Sequence, residues 1–259
     1  MKAATLLVIV LCTLSAQTGI EGALDGVLEN KGKPLQIPFQ CTEDDSQTAG
    51  LHCTEDEPCI AYLELSAVEA VGNRLFVTGN VHAASATLYS ILLTSSDAGK
   101  TWKEGHKRLR SAALDQIQFL DFQTGWIAGN LLSGSAKDAF FLATTDGGST
   151  WRERPLFDES RPGEIEKFHF ESKTAGWLLL DVRYANHYEL FETRTGGESW
   201  ESRQVSAKPI ALPKESPVFI PGWRVRADAA THAFALERAE GLRWQKVASF
   251  LVSAGKCTQ

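Results

Sequence analysis

Along most of the chain, short apolar runs alternate with polar turns at intervals too tight for helices. In one stretch "IQFLDF", "WIAGN", "AFFLATT" and "TWRERPLF" follow one another between residues 117 and 157, separated by "FQTG" and "DGGS". Runs of this length with period-two alternation and Gly/Asp turns between them predict four short strands. The same pattern recurs. "SSDAGKTW" at 95–102 returns as "TTDGGSTW" at 144–151, as "TRTGGESW" at 193–200 and, worn, as "ERAEGLRW" at 237–244. The closing tryptophans Trp102, Trp151, Trp200 and Trp244 stand 49, 49 and 44 residues apart. A second anchor keeps step: Phe76, Trp126, Trp177 and Trp223 precede them by 26, 25, 23 and 21 residues.

A phrase that repeats at fixed spacing is architecture, because an active site needs its nucleophile or base once. A period of about 40 to 50 residues carrying four antiparallel strands predicts an all-β chain built as a β-propeller of about four four-stranded blades. Extra strands from residues 24–62 are the alternative way of completing it. In each turn the aspartate accepts backbone N–H groups while glycine supplies positive φ, and the tryptophan packs between neighbouring units. Asp97 and Asp146 are therefore read as turn clasps, not as acids or bases.

Composition bounds the function. The chain has 259 residues, 43% of them hydrophobic and 22% charged, so it can bury a full core. Lys2, an apolar run and then "SAQTG" give residues 1–23 the layout of a signal peptide, which predicts a periplasmic or secreted protein. Removal of residues 1–20, which hold one lysine and no acid, takes the net charge from −6 to −7. An acidic surface disfavours nucleic acid as a partner. Residues 24–62 hold Cys41, Cys53 and Cys59, and Cys257 closes the chain. Four cysteines in an exported chain predict two disulfides, with three pairings open. Cys41 with Cys53, and Cys59 with Cys257, is the pairing expected here, the second bridge joining the start of the 63–259 repeat domain to its end. No tight CxxC pair calls for a metal, and no HExxH, GxSxG or phosphate-cradling loop calls for a catalytic centre or cofactor.

Ser95, Asp97, Gly99, Thr101 and Trp102 match the pattern Ser/Thr-x-Asp-x-Gly-x-Thr-Trp in full, as do Thr144, Asp146, Gly148, Thr150 and Trp151. The pattern resembles the Asp box, or bacterial neuraminidase repeat. The third copy keeps Gly197 and Trp200 but has Thr195 in place of aspartate, and the fourth keeps only Gly241 and Trp244. "FLDFQTGWIAGN" followed by "TTDGGSTW" is similar to the photosystem II stability and assembly factor family, over roughly residues 63–250. That family resembles a seven-bladed ring, whereas four units are counted here.

The resemblance implies a non-enzymatic propeller that holds a protein partner, such as a subunit of a membrane or envelope complex, by its basic surface. Strand alternation puts the boxes on one face and the longer loops on the other, and loops carry function. Arg183, Tyr184, His187 and Tyr188 share one such loop, and tyrosine with arginine is what interface centres favour. His106, Arg108 and Arg110 occupy a second connection, and Asp158, Glu159 and Arg161 a third. The alternative is a glycan-binding protein or a diverged sialidase. A sialidase needs a tyrosine with a glutamate partner, but Tyr188 and Glu189 are adjacent on a strand and point to opposite faces. A glycan-directed protein predicts carboxylates and aromatics around a central pocket, a scaffold a broader charged face.

Overall fold

The computed structural model describes residues 26–133, 136–157, 162–182, 185–212 and 222–258; the predicted signal peptide lies outside them. The chain is all-β but for one turn and a half of helix. The N-terminal segment gives β1 (Leu28–Glu29), β2 (Phe39–Gln40) and α1 (Glu43–Thr48). The helix starts where Thr42 and Asp45 cap each other's backbone N–H groups, the reciprocal capping box. Four consecutive antiparallel strands follow: β3 (Cys59–Val71), β4 (Arg74–His82), β5 (Thr87–Ser95) and β6 (Thr101–Glu104). The second set is β7 (Ala112–Phe119), β8 (Gly125–Ser133), β9 (Ala136–Thr144) and β10 (Arg152–Pro155). The third is β11 (Glu164–Phe170), β12 (Gly176–Val182), β13 (His187–Thr193) and β14 (Glu201–Ser206). The last sheet has β15 (Trp223–Asp228), β16 (Ala233–Glu240) and β17 (Arg243–Leu251), after which β18 (Ser253–Cys257) returns to the first sheet.

Multiple four-stranded sheets in sequence order are consistent with a β-propeller. The apolar side chains of each sheet divide between its two faces, and the faces of successive sheets pack on one another. Phe76 and Leu92 of the first sheet meet Leu114, Phe140 and Leu142 of the second. Trp126 and Phe141 of the second meet Phe168, Phe170 and Leu180 of the third. Leu236, Ala248 and Phe250 of the last sheet join the core of the first. Burying side chains of this size is worth about 1.5–3 kcal/mol each, so the sheet-to-sheet interfaces are the main source of stability.

The first sheet is wider than the rest, running β1-β6-β5-β4-β3-β18-β2. Its additions come from the two ends of the described chain. β18 lies antiparallel to β3, and β2 lies parallel to β18, with Gly255 opposite Phe39 and Lys256 opposite Gln40. One more residue in that register brings Cys257 beside Cys41. The disulfides are accordingly Cys41–Cys257 and Cys53–Cys59, which corrects the expected pairing of Cys41 with Cys53 and Cys59 with Cys257. Sequence spacing carries no sign of a parallel strand pair between residues so far apart. The N-terminal segment still ends up bridged to the C-terminal strand, and two disulfides suit an oxidising compartment. No helix among the described residues is long and apolar enough to cross a membrane.

Candidate functional site

Three of the inner strands carry a register shift at the same place: between Leu65 and Ala67 in β3, Leu114 and Gln116 in β7, and Ile165 and Lys167 in β11. A bulge bends a strand and re-aims the residues after it. Those next residues, Val68–Ala70, Gln116–Phe119 and Lys167–His169, line one cavity together with Trp223 and Arg238 from the last sheet. All four sheets thus contribute to a single space of about 800 Å³, within the range of ligand pockets. Gly72, in the β3–β4 turn, borders it.

Its chemistry is mixed. Phe119, Phe168 and Trp223 give aromatic wall, while Lys167, His169 and Arg238 give nitrogen. The guanidinium of Arg238 lies over the Trp223 ring, 5.9 Å from its centre, and pairs with Glu240 at 2.6 Å. The Gln118 amide spans to β11, accepting from the Phe170 N–H at 2.8 Å and donating to its carbonyl at 3.0 Å. Gln116 likewise donates to the Ile165 carbonyl at 2.9 Å. These glutamines stitch the second sheet to the third, so the cavity wall is rigid there.

Glu69 is the one carboxylate in the lining among the described residues. It is half-buried, and desolvation pushes its pKa from 4.5 up to about 7. An acid raised in this way weakens the fold as it ionises: the penalty is absent below 4.5, grows as pH rises and is complete above about 7,. Glu69→Gln is therefore expected to stabilise the protein at pH 8, on the order of 1 kcal/mol after solvent screening, and to have no such effect at pH 4. Urea unfolding at both pH values measures this, and an equal effect at each would contradict it.

The box turns sit at the same end as the cavity. Asp97 accepts from Ser95 Oγ, Lys100 N, Thr101 N and Thr101 Oγ1 at 2.7–3.1 Å. Asp146 accepts from Thr144 Oγ1, Thr150 N and Thr150 Oγ1 at 2.6–2.9 Å. These bonds, those from Thr101 and Thr150 foremost, lower each carboxyl from 3.8 to about 2. In the third turn Thr195 Oγ1 accepts from the Ser199 N–H at 2.9 Å, a neutral version of the clasp. Each of these turns also donates to the first turn of its own sheet: Ala98 N to Asn73 O, Gly147 N to Gln123 O and Gly196 N to Thr174 O, all at 2.8 Å. Asp97→Ala is expected to cost about 0.5–2 kcal/mol at pH 7, as loss of a cap does. The sign follows from the lowered pKa. The carboxylate's contribution is whole above 3.8 and fades as pH falls through about 2,, so the difference between wild type and variant in thermal unfolding shrinks over that interval.

The tryptophans after the turns fill the joints between sheets. Trp102 meets Phe250 of the last sheet edge-on at 5.2 Å. Trp151 meets Phe76 of the first sheet at 6.2 Å, and Trp200 stacks on Phe141 of the second at 5.7 Å. Trp244 differs: it is 39% exposed, with the Arg224 guanidinium 4.1 Å from its ring centre. Gly241, in the turn before it, has φ 61°.

The remaining candidates are dispersed. Arg108 is buried, paired with Glu104 at 2.6 Å, and donates to the Pro38 carbonyl. Arg110 pairs with Asp44 and Asp45 of α1, and its Nε donates to the Tyr89 hydroxyl. Tyr89 in turn donates to Asp45 at 2.5 Å. Both arginines hold the N-terminal segment against the first sheet. His106 is half-buried with its pKa lowered by burial. His187 Nε2 lies 2.7 Å from the buried Glu189 carboxylate, and the half-buried Tyr188 packs toward Trp177, Leu179 and Leu190. Arg183, Tyr184, Asp158, Glu159 and Arg161 lie outside the described residues. His187 and Tyr188 begin β13 at the end of its sheet opposite the β11–β12 turn, away from the cavity residues. Glu69, Gln116, Gln118 and Arg238 were not singled out in the sequence. For Glu69, Gln116 and Gln118 the only signal was a position after the apolar start of an inner strand; Arg238, in β16, had none.

The fold and cavity define the protein as an all-β chain of successive antiparallel sheets around a shared pocket. No family model matches it, and no curated protein does. Solved structures are similar to it. One is YCF48 bound to D1 peptide, at 17% identity and TM-score 0.41, over 75% of this chain and 56% of that one. Another is an α-L-arabinanase of Penicillium chrysogenum complexed with arabinobiose, at 15% and 0.39, over 85% and 66%. A third is a PL25 ulvan lyase, at 11% and 0.39, over 80% and 56%. The chain therefore matches little more than half the length of the first and third. At these identities and scores the likenesses bear on neither activity nor ligand.

Proposed function

We propose that the protein is an exported, non-enzymatic β-propeller of about four Asp-box blades that binds a protein partner, in the manner of an assembly factor or scaffold. The observation that carries this reading is the cavity shared by four sheets, with aromatic walls, cationic groups and a single carboxylate. Hydrolysis of a glycosidic bond ordinarily takes a pair of carboxyl groups, and among the described residues the lining supplies one. A pocket that offers charge and aromatic area without paired acid and base is suited to binding. The sequence resemblance to photosystem II assembly factors supports the same class, and the two disulfides support export.

A second reading, a glycan-binding protein, draws on one specific feature: Trp223 and Glu69 line the same central pocket, an aromatic platform beside a carboxyl group. Affinity capture from a native envelope extract tests the first reading, with the wild-type protein beside Arg238→Glu and an Arg183→Ala/Tyr184→Ala double variant. A single protein recovered by the wild type and lost in Arg238→Glu places the contact at the cavity. Loss in the double variant alone places it on the β12–β13 connection. If no protein is recovered and a glycan array gives a defined hit, the second reading replaces the first.

A further inference from the structure

Glu69 borders two spaces. Besides the shared cavity it lines a groove of about 230 Å³ between the first and second sheets, whose other walls include Val71, Gly72, Phe119, Asp121 and Phe122. The Phe122 ring is 69% exposed on the rim, close enough to Gly72 that a Cβ there would sit 3.5 Å from it. Phe119 is held in place by stacking on Phe76, centres 4.7 Å apart.

The charged groups around Glu69 are otherwise occupied. On its own strand Glu64 accepts from Asn80 at 3.2 Å. Arg74, across the turn, donates to the Phe122 and Gly147 carbonyls. From the second sheet come Asp121, which pairs with Lys173 at 3.1 Å, and Asp115, bonded to Asn130. From the third, His169 lies against Gln118 and Trp177, and Lys167 lines the far side of the cavity. From the last, Arg238 is paired with Glu240. Among the described residues none makes an ion pair or hydrogen bond with Glu69. Burial raises its pKa, and no cation among the described residues pulls it back. A desolvated carboxyl without a counter-ion is the complement of a cation brought from outside.

Resting on the protein-binding reading above, we propose that this groove receives a lysine or arginine side chain of the partner, its cation against Glu69 and its stem along Phe119 and Phe122. The stem of a long basic side chain packs on apolar surface while its head seeks charge, and the exposed Phe122 face adds attraction for a cation. The partner segment that fits is therefore basic, on an otherwise acidic protein.

Binding a cation favours ionised Glu69, so a proton leaves as the ligand arrives at low pH. With a carboxyl titrating near 7, the ionised fraction rises about tenfold between pH 6 and pH 8. The test is isothermal titration of the full chain with acetyl-tetralysine amide at pH 6 and pH 8. The wild type is expected to bind about tenfold more tightly at pH 8, and Glu69→Gln to lose both that binding and its pH dependence. Urea unfolding shows whether Glu69→Gln is folded, and Glu69→Asp, which keeps the charge, restores the pH dependence. Equal tetralysine affinity in wild type and Glu69→Gln overturns the assignment, as does tighter binding of tetraglutamate at pH 6. Partner capture that ignores Glu69→Gln also overturns it but leaves the protein-binding reading standing. Failure of the wild type to capture any protein removes both.

Discussion

Replacing Cys41 and Cys257 with serine is expected to lower the stability by about 5 kcal/mol, whereas replacing Cys53 and Cys59 should cost about 2 kcal/mol. The difference comes from the unfolded chain. The first bridge joins residues 216 apart and the second residues only 6 apart, and the entropy withheld from the unfolded ensemble grows with the logarithm of the closed loop. The folded side of the balance points the same way. Cys257 is fully buried, and the segment it anchors places Leu35, Ile37 and Phe39 in the core of the first sheet. That segment also brings Asn30, whose side-chain amide donates to the Gly99 carbonyl at 2.9 Å and to the Val247 carbonyl at 2.8 Å. One side chain thereby ties the first sheet's box turn to the last sheet. Without the bridge, β1, β2 and α1 are held by short pairings, the packing of Leu35, Ile37 and Phe39, and the contacts of Asn30, Arg108 and Arg110. Urea unfolding of the two double variants, followed by tryptophan fluorescence, gives both values. Equal losses would refute the loop-length account, and no loss in the Cys41/Cys257 pair would mean that the N-terminal segment contributes nothing to the cooperative unit.

The parts of this structure that were legible in the sequence are the local and repeated ones. Four strands in the 117–157 stretch, turns at Asp97 and Asp146, and tryptophans at a steady spacing follow from alternation and turn chemistry that each unit contains within itself. What could not be read depends on residues far apart in the chain. Nothing near Phe39 says that it will lie parallel to Gly255, so the cysteine pairing was open. Arg108 and Arg110 have the look of a solvated basic run, yet their partners, Pro38 and Asp44, lie some seventy residues upstream. The cavity is the strongest case. Glu69, Gln116, Lys167 and Arg238 sit on four different sheets, and within its strand each is an ordinary polar position, the first three after a bulge. Only the stacking of the sheets makes them neighbours. Sequence reasoning looked to the longer loops instead, because loops commonly carry function.

Gly99 and Gly148, unlike the aspartates, act across the joint between sheets, and Gly148→Ala is expected to cost about 2–5 kcal/mol. Two costs add. Gly148 has φ 82°, a conformation an alanine enters only at about 1–2 kcal/mol. A Cβ there would also stand 2.4 Å from the Phe76 ring of the preceding sheet. Phe76 cannot step aside, since it is 2% exposed and packed against both Phe119 and Trp151. The same substitution elsewhere isolates the first cost from the second. Gly241 has φ 61° but nothing within 4 Å of its would-be Cβ, and at Gly197 the nearest atom, on Phe170, is 3.3 Å away. The expected order of destabilisation is Gly148→Ala, then Gly197→Ala, then Gly241→Ala. Midpoints of thermal unfolding rank them, at about 2–4 °C per kcal/mol for a chain of this size. Three equal shifts would mean that only backbone strain matters, and the glycine would then be a feature of the turn alone. The graded order would show instead that steric crowding adds to backbone strain: at Gly197, beside Thr195, the Phe170 ring would have to give by a few tenths of an ångström, whereas at Gly241 only the positive φ opposes a side chain.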